Sequence, residues 1–347
     1  MRIGSFFPLC ARADRGMIGR VRHPHWRWPV ALPLALVGLA ALPGIASAHG
    51  EEAPPPDLPG VLLAWSTDPL PWIACLAAGV AYLWAARRVA ANHPDNPPQR
   101  WRTVCFGLGL AAILVALVSP IESYEGVLFS VHMVQHMLLE LVAAPLLLLG
   151  APVTLALRVA GPSVRRGLLS LLHSRALAAI TFPLVTWVMF AAVNWGWHFS
   201  SLYDQALENV ALHYLQHATF LVAALLFWWP IVAADPGRWR LPHAARLFYL
   251  FLAMPQNSFL GVALMSASTV LYPHYLTTLR TWGATALADQ SMGGILMWVM
   301  GDMVFLVAMG FVVASWARHE DRRTARLDAR LDAQLESERR RVEADRA

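Results

Sequence analysis

The chain is poor in cysteine, poor in charge and entirely without lysine. Only Cys10, Cys75 and Cys105 occur among 347 residues. Cys10 precedes the first apolar stretch, and the other two fall near opposite membrane faces in the topology set out below. Neither a disulfide nor a thiolate metal motif is therefore expected. Charged residues make up 14% against 57% hydrophobic, which excludes an ordinary soluble domain. All 27 Lys/Arg positions are arginines, and those of the apolar region cluster between its runs, so the net charge of +5 reads as topology and not as a nucleic-acid-binding surface. A P-loop, a dinucleotide glycine fingerprint and a Ser/His/Asp set in nucleophile context are also missing, and no enzymatic activity is expected. What the sequence does contain is long hydrophobic runs, and these predict an all-α, polytopic membrane helical bundle.

The first 48 residues read as a secretory signal, for which Met17 gives a more ordinary start than Met1. Arg20, Arg22 and Arg27 lead into an apolar core from Val30 to Ile45, and Ala46-Ser47-Ala48 has the small residues of a cleavage site. His49 then begins the mature chain, and residues 49–69 form a proline-rich external linker. Seven transmembrane helices are predicted within residues 70–317, near 70–87, 102–118, 127–149, 177–197, 210–232, 246–271 and 289–316. Arginines cluster at 87–102, 158–175 and 238–246, whereas the opposite loops carry only Arg280. That bias puts the N-terminus outside and the C-terminus in the cytoplasm. Residues 318–347, dense in Arg, Glu, Asp and Ala, read as a charged, solvated cytoplasmic tail helix with Leu327, Leu331 and Leu335 spaced by four.

One span departs from the rule that bilayer helices avoid ionisable groups. The stretch SVHMVQHMLLELVAAPLLLLG, residues 130–150, carries His132, Gln135, His136 and Glu140. Each such group costs on the order of 2.5 kcal/mol at the bilayer centre, so a function is expected of them. A spacing of four puts His132 and His136 on one helix face. The His-x-x-Gln-His pattern returns at His213, Gln216 and His217. The ungapped match extends back to Ser119 and Ser200, each thirteen residues before its first histidine and each followed by a short acidic segment. Ser119-Pro-Ile-Glu122 has the form of a capping box. Both histidine helices thus enter from the outer side, and the two pairs lie at similar depth, as in a parallel repeat.

Four imidazoles at one level can converge on a metal, which makes His132, His136, His213 and His217 the candidate ligands. Met133, Met137 and Met292 are soft accessory donors that favour copper, above all Cu(I). Gln135 and Gln216 are candidates for orienting the rings. Glu140 lies about 12 Å below His132 and reads as an accessory or proton-handling group. His49, His198 and His274 are candidate outer-face capture residues. Two alternatives stay open: one bis-histidine haem near the outer face, as in a membrane electron-transfer cytochrome, or an ion path through His136, Glu140 and Asp302.

The stretches SVHMVQHMLLELVAAPLLLLGAP, NWGWHFSSLYDQALENVALHYLQHATFL, MPQNSFLGVAL and DQSMGGILMWVMGD, in that order, resemble the cytochrome c oxidase assembly factor CtaG family of the caa3-oxidase type. The resemblance covers roughly residues 65–317. It implies a seven-span protein of the bacterial plasma membrane that supports maturation of haem-copper oxidase, with oxidase subunits, membrane lipid and an external copper chaperone as partners. The family's histidine motifs fall on His132, His136, His213 and His217, and its Asp-Gln and Gly-Gly motif on Asp289, Gln290, Gly293 and Gly294.

Overall fold

The computed structural model describes Asp57, Val61, residues 64–278 and residues 282–346. The expected signal, most of the linker, His49 and Arg280 lie outside the described residues. Among those described, every regular element is helical. Six of the described helices are long and apolar enough to cross a membrane, and the protein is an all-α polytopic membrane protein.

The first span, α1 (Pro69–Asn92), starts with proline at its first position, and the Asp68 carboxylate accepts the Leu70 N–H at 3.0 Å. After α2 (Arg100–Val118), Ser119 caps the short α3 (Pro120–Glu125) by accepting the Ile121 N–H. The expected capping box does not close, because the Glu122 carboxylate accepts the side-chain amide of Gln135 at 2.6 Å instead of returning to the cap. The next span contains α4 (Phe129–Met137), a π-helical turn (Leu138–Ala143), α5 (Ala144–Leu149) and α6 (Pro152–Val159). Between α5 and α6 the chain bends at Ala151, which has φ of 50°. Asp235 accepts the Val153 and Thr154 N–H groups at 3.2 and 2.6 Å, satisfying the start of α6.

The fourth expected span is divided. Following α7 (Pro162–Leu172), α8 (Arg175–Ile180) ends two residues before α9 (Pro183–His198). Pro183 has no N–H to donate and drives Phe182 into extended backbone. At 16 residues, α9 is about 24 Å long, short of a hydrocarbon core of about 30 Å. The chain continues through α10 (Leu202–Glu208), α11 (Val210–Val232), α12 (His243–Met265), α13 (His274–Thr277) and α14 (Ala286–Arg346). The C-terminal part of α14 is exposed, Leu327, Leu331 and Leu335 included. Cys75 and Cys105 are free thiols.

Packing is the reverse of that in a soluble domain. Large apolar side chains such as Leu76, Phe259 and Phe311 face outward, whereas His132, Gln135, Gln216 and Asp289 are buried. Phe190, Phe227, Trp228, Leu250 and Phe305 form the main apolar core between α9, α11, α12 and α14. Helices α12 and α14 touch backbone to backbone at Gly261 and Gly294: a Cβ on Gly294 would lie 2.6 Å from the Gly261 carbonyl oxygen. One residue earlier, a Cβ on Gly293 would lie 2.4 Å from the ring of Phe129. The Gly-Gly step thus seats α14 against α12 on one side and against the start of α4 on the other.

Candidate metal centre

The sequence repeat becomes a structural one around the histidines. Each histidine helix is preceded by a short helix, α3 before α4 and α10 before α11, and Asn209 caps α11 by accepting the Leu212 N–H at 3.1 Å. The arrangement presents one helix face of α4 to one of α11. Ring centroids lie 4.3 Å apart within His132–His136 and 4.2 Å within His213–His217. Across the helices, His132–His213 and His136–His217 are separated by 5.6 and 5.7 Å. All four rings are buried.

A carboxylate that sequence reasoning missed completes the cluster. Glu125, 1% exposed at the end of α3, brings Oε2 within 2.6 Å of His132 Nδ1 and 3.9 Å of His213 Nε2. Two sets of three potential ligands result, His132–His136–His217 and Glu125–His132–His213, each with donor atoms within 4.8 Å of one another. His132 is common to both. Its Nε2 lies 2.8 Å from His136 Nε2, so one of these nitrogens donates its N–H to the lone pair of the other. A tetrahedral ion with metal–nitrogen bonds of about 2.05 Å needs ligand nitrogens roughly 3.3 Å apart. Opening that pair by about half an ångström and moving the donating ring's proton to its other nitrogen is thus enough to admit an ion between the rings.

Hydrogen bonds fix several rings. The oxygen of Gln135 receives His217 Nε2–H at 3.0 Å, while its amide nitrogen donates to the Ala116 carbonyl and to Glu122. Gln135 therefore holds the His217 ring in place. Gln216 does not: it is fully buried, but neither atom of its side-chain amide has a hydrogen-bond partner among the described residues. The Tyr275 hydroxyl donates to the Glu125 carbonyl at 3.0 Å and lies 3.3 Å from His132 Nδ1. Tyr203 packs 5.1 Å from the His132 ring, and Phe220 4.3 Å from His136. Burial pushes the phenols of Tyr203, Tyr272 and Tyr275 upward, so this wall stays neutral at physiological pH.

The remaining candidates separate cleanly. His198 is not a solvated capture residue. Its ring is buried 6.3 Å from His136, and its Nδ1–H donates to the Asn194 carbonyl at 2.7 Å. His274 lies outside the cluster, its Nε2 bonded to the Gly126 carbonyl at 3.0 Å and its backbone N–H to Asp204. Met133 is fully buried beside the histidines. Met292 instead faces outward at 50% exposure, and Met297, one turn along α14 from Gly293, occupies the inner face. Glu140 is buried but bonded to Asn194 Nδ2 at 3.0 Å instead of to an imidazole. Asp289 acts from a distance, accepting Ser130 Oγ–H at 2.5 Å and so pinning the first turn of α4. Gln290 clamps the α12–α14 connection through Leu264, Thr269 and Leu271. Asp302 is held by Ser258 and Asn257 at 2.7 and 3.2 Å.

The family model of the cytochrome c oxidase caa3 assembly factor matches residues 80–319, which includes every residue of this cluster. The chain belongs to that family. Uncharacterized proteins of Mycobacterium bovis and Mycobacterium tuberculosis are each 34% identical to this chain over 288 residues. One of Mycobacterium leprae is 31% identical over the same length. In each case the alignment covers 80% of this chain but 43% of the relative, so the chain spans less than half the length of the curated relatives it matches. No solved structure matches it.

Proposed function

We propose that this chain is an oxidase assembly factor that binds copper as cargo at the cluster of His132, His136, His213, His217 and Glu125 and supports its insertion into an immature cytochrome c oxidase. The observation that carries the reading is the pair of overlapping ligand sets, both buried and both using His132. Neutral imidazoles suit copper, and one carboxylate offsets part of the ion's charge in a low-dielectric interior. The arginine bias between spans puts the cluster toward the outer face of a bacterial plasma membrane, with the C-terminus in the cytoplasm. Copper is then received from outside, from an external chaperone or from solution, and passed to oxidase subunits in the same bilayer.

Packing favours a bare ion over haem. A macrocycle needs a flat slot wide enough for a porphyrin between its two axial imidazoles, and here Tyr203 and Phe220 pack at a tilt against the His132 and His136 rings, with centroids 5.1 and 4.3 Å away. The test is copper stoichiometry of the purified protein in detergent, with the absorption spectrum recorded on the same sample. Bound copper that is lost in the combined His132→Ala and His217→Ala variant supports the reading. Undiminished copper in that variant, or a Soret band in the wild type, overturns it. In cells, deletion should lower oxidase activity and leave total copper unchanged in a strain lacking the oxidase; altered copper there would indicate a transporter.

A further inference from the structure

Next to the histidine cluster, α4 and its π-helical turn, α9 and α14 enclose a cavity of about 20 Å³, room for one water-sized guest. Its wall carries three thioethers, Met133, Met137 and Met297, with His136, His198 and Glu140. We propose that this cavity is a second metal site, built for a single soft monovalent cation of the Cu(I) class.

Two buried nitrogens on the wall point to a ligand. His198 Nε2 and His136 Nδ1 have no hydrogen-bond partner among the described residues, although both rings are less than 5% exposed. The His198 tautomer is fixed by the donation of Nδ1–H to the Asn194 carbonyl, so Nε2 carries the lone pair. A lone pair held in a dry interior without a donor is costly unless something accepts its electrons, and a metal ion does. The thioethers decide the class of ion, because sulfur of this type ligates Cu(I) and disfavours hard divalent ions. Charge agrees. The Asn194 side chain holds the Glu140 carboxyl at 3.0 Å while its carbonyl holds His198, so one residue positions together a neutral donor and a carboxyl group that gives up its proton as a cation enters. One carboxylate balances one monovalent cation, whereas a divalent ion would leave net charge buried.

His136 borders both sites. Its Nε2 faces His132 at 2.8 Å, and the ring also lines the cavity. A neutral imidazole offers a lone pair from one nitrogen at a time, so a change of tautomer moves this ligand from one site to the other. The cavity nonetheless stands on its own donors, whether or not the upper cluster carries copper.

The test is anaerobic titration of the full-length wild-type protein with chelator-buffered Cu(I), followed by copper X-ray absorption. Two ions per chain are expected, with sulfur in the average copper shell. The combined Met133→Leu, Met137→Leu and Met297→Leu variant, nearly isosteric, should bind one ion and lose the sulfur scattering. The combined Glu125→Gln and His213→Ala variant should also bind one but retain sulfur. One ion with sulfur in the wild type leaves this site standing and refutes the upper cluster. Copper bound without any sulfur ligand, or no Cu(I) at all, overturns the proposal, and neither result depends on a variant that folds.

Discussion

Replacing Glu125 with glutamine removes a charge while keeping the shape of the side chain. The native carboxylate is 1% exposed, 2.6 Å from His132 Nδ1 and 3.9 Å from His213 Nε2. A unit charge acting on an ion about 4 Å away is worth about 4 kcal/mol at an effective dielectric of about 20. Desolvation of the buried carboxylate offsets part of that. Glutamine also fails in a second way. If its amide N–H₂ faces His132 Nδ1, the ring proton moves to Nε2 and the nitrogen that faces His136 stops being a ligand. Loss of such a supporting partner typically lowers metal affinity 10- to 100-fold, or about 1.4–2.8 kcal/mol. The expected result is therefore a copper dissociation constant at the four-histidine cluster raised by that factor, read by competition with a chelator of known affinity. Glu122→Gln is the internal comparison. Glu122 reaches the rings only through Gln135, and its replacement should cost less than Glu125→Gln. A folded Glu125→Gln protein whose copper affinity stays within twofold of wild type would refute the assignment of this carboxylate to the site.

Three further outcomes follow from the packing. Gly294→Ala should destabilise the fold by about 1–3 kcal/mol or abolish it, since the new methyl group would lie 2.6 Å from both the Gly261 carbonyl oxygen and the Met265 nitrogen, neither of which can swing aside; a thermal melt in detergent checks this. Asp289→Ala releases Ser130 Oγ and the start of α4 and should cost about 1 kcal/mol of stability, as loss of a helix cap does, with copper stoichiometry preserved; loss of bound copper would make Asp289 a ligand instead of a clamp. Alkaline stability follows from the three buried phenols. Tyr203, Tyr272 and Tyr275 are held above the ordinary tyrosine range, so the folded state keeps protons that the unfolded chain releases from about pH 10. Their contribution is complete below that pH and is lost above it. The melting temperature should fall beyond about pH 10, and a Tyr275→Phe variant should fall less steeply.

Much of the molecule was legible because membrane burial writes itself plainly into sequence. The spans followed from apolar length, and the histidine pairs from polar residues that had no reason to be there. Glu125 was not legible. It sits in SPIESYEG, where a carboxylate reads as an ordinary interfacial group, and its burial depends on Tyr275, 150 positions away. His198 was misread for the same reason: a lone histidine at a span end reads as solvated until Tyr272, whose hydroxyl donates to the His198 carbonyl, closes over it. Met292 and Met297 differ by helix face alone. Gly293, Met297 and Gly301 recur every four residues, and that stripe marks the inward side of α14. Read as a face, the stripe would have selected Met297 and rejected Met292.

The duplication accounts for the depth of the imidazoles but not for the chemistry around them. With His132 aligned to His213, Gln135 meets Gln216, but Glu122 meets Tyr203, Glu125 meets Ala206, Met133 meets Tyr214, Met137 meets Ala218 and Glu140 meets Leu221. Within these aligned segments, every carboxylate and every thioether at the histidine cluster or the cavity comes from the first copy, since Asp204 and Glu208 of the second lie outside both. The second supplies two imidazoles, an amide without partners and an aromatic wall. The π-helical turn also belongs to the first copy alone, at Leu138–Ala143. Such a turn underwinds the helix, so Glu140 leaves the line that a spacing of four from His132 and His136 predicts and meets Asn194 of α9. A symmetric pair of helices therefore becomes a site with one structural arm and one chemical arm. The chemical arm carries donors at two successive levels, joined by His136. An ion bound between two such arms has a direction built into its ligands: nitrogen and carboxylate near α3, then nitrogen and sulfur toward the π-helical turn.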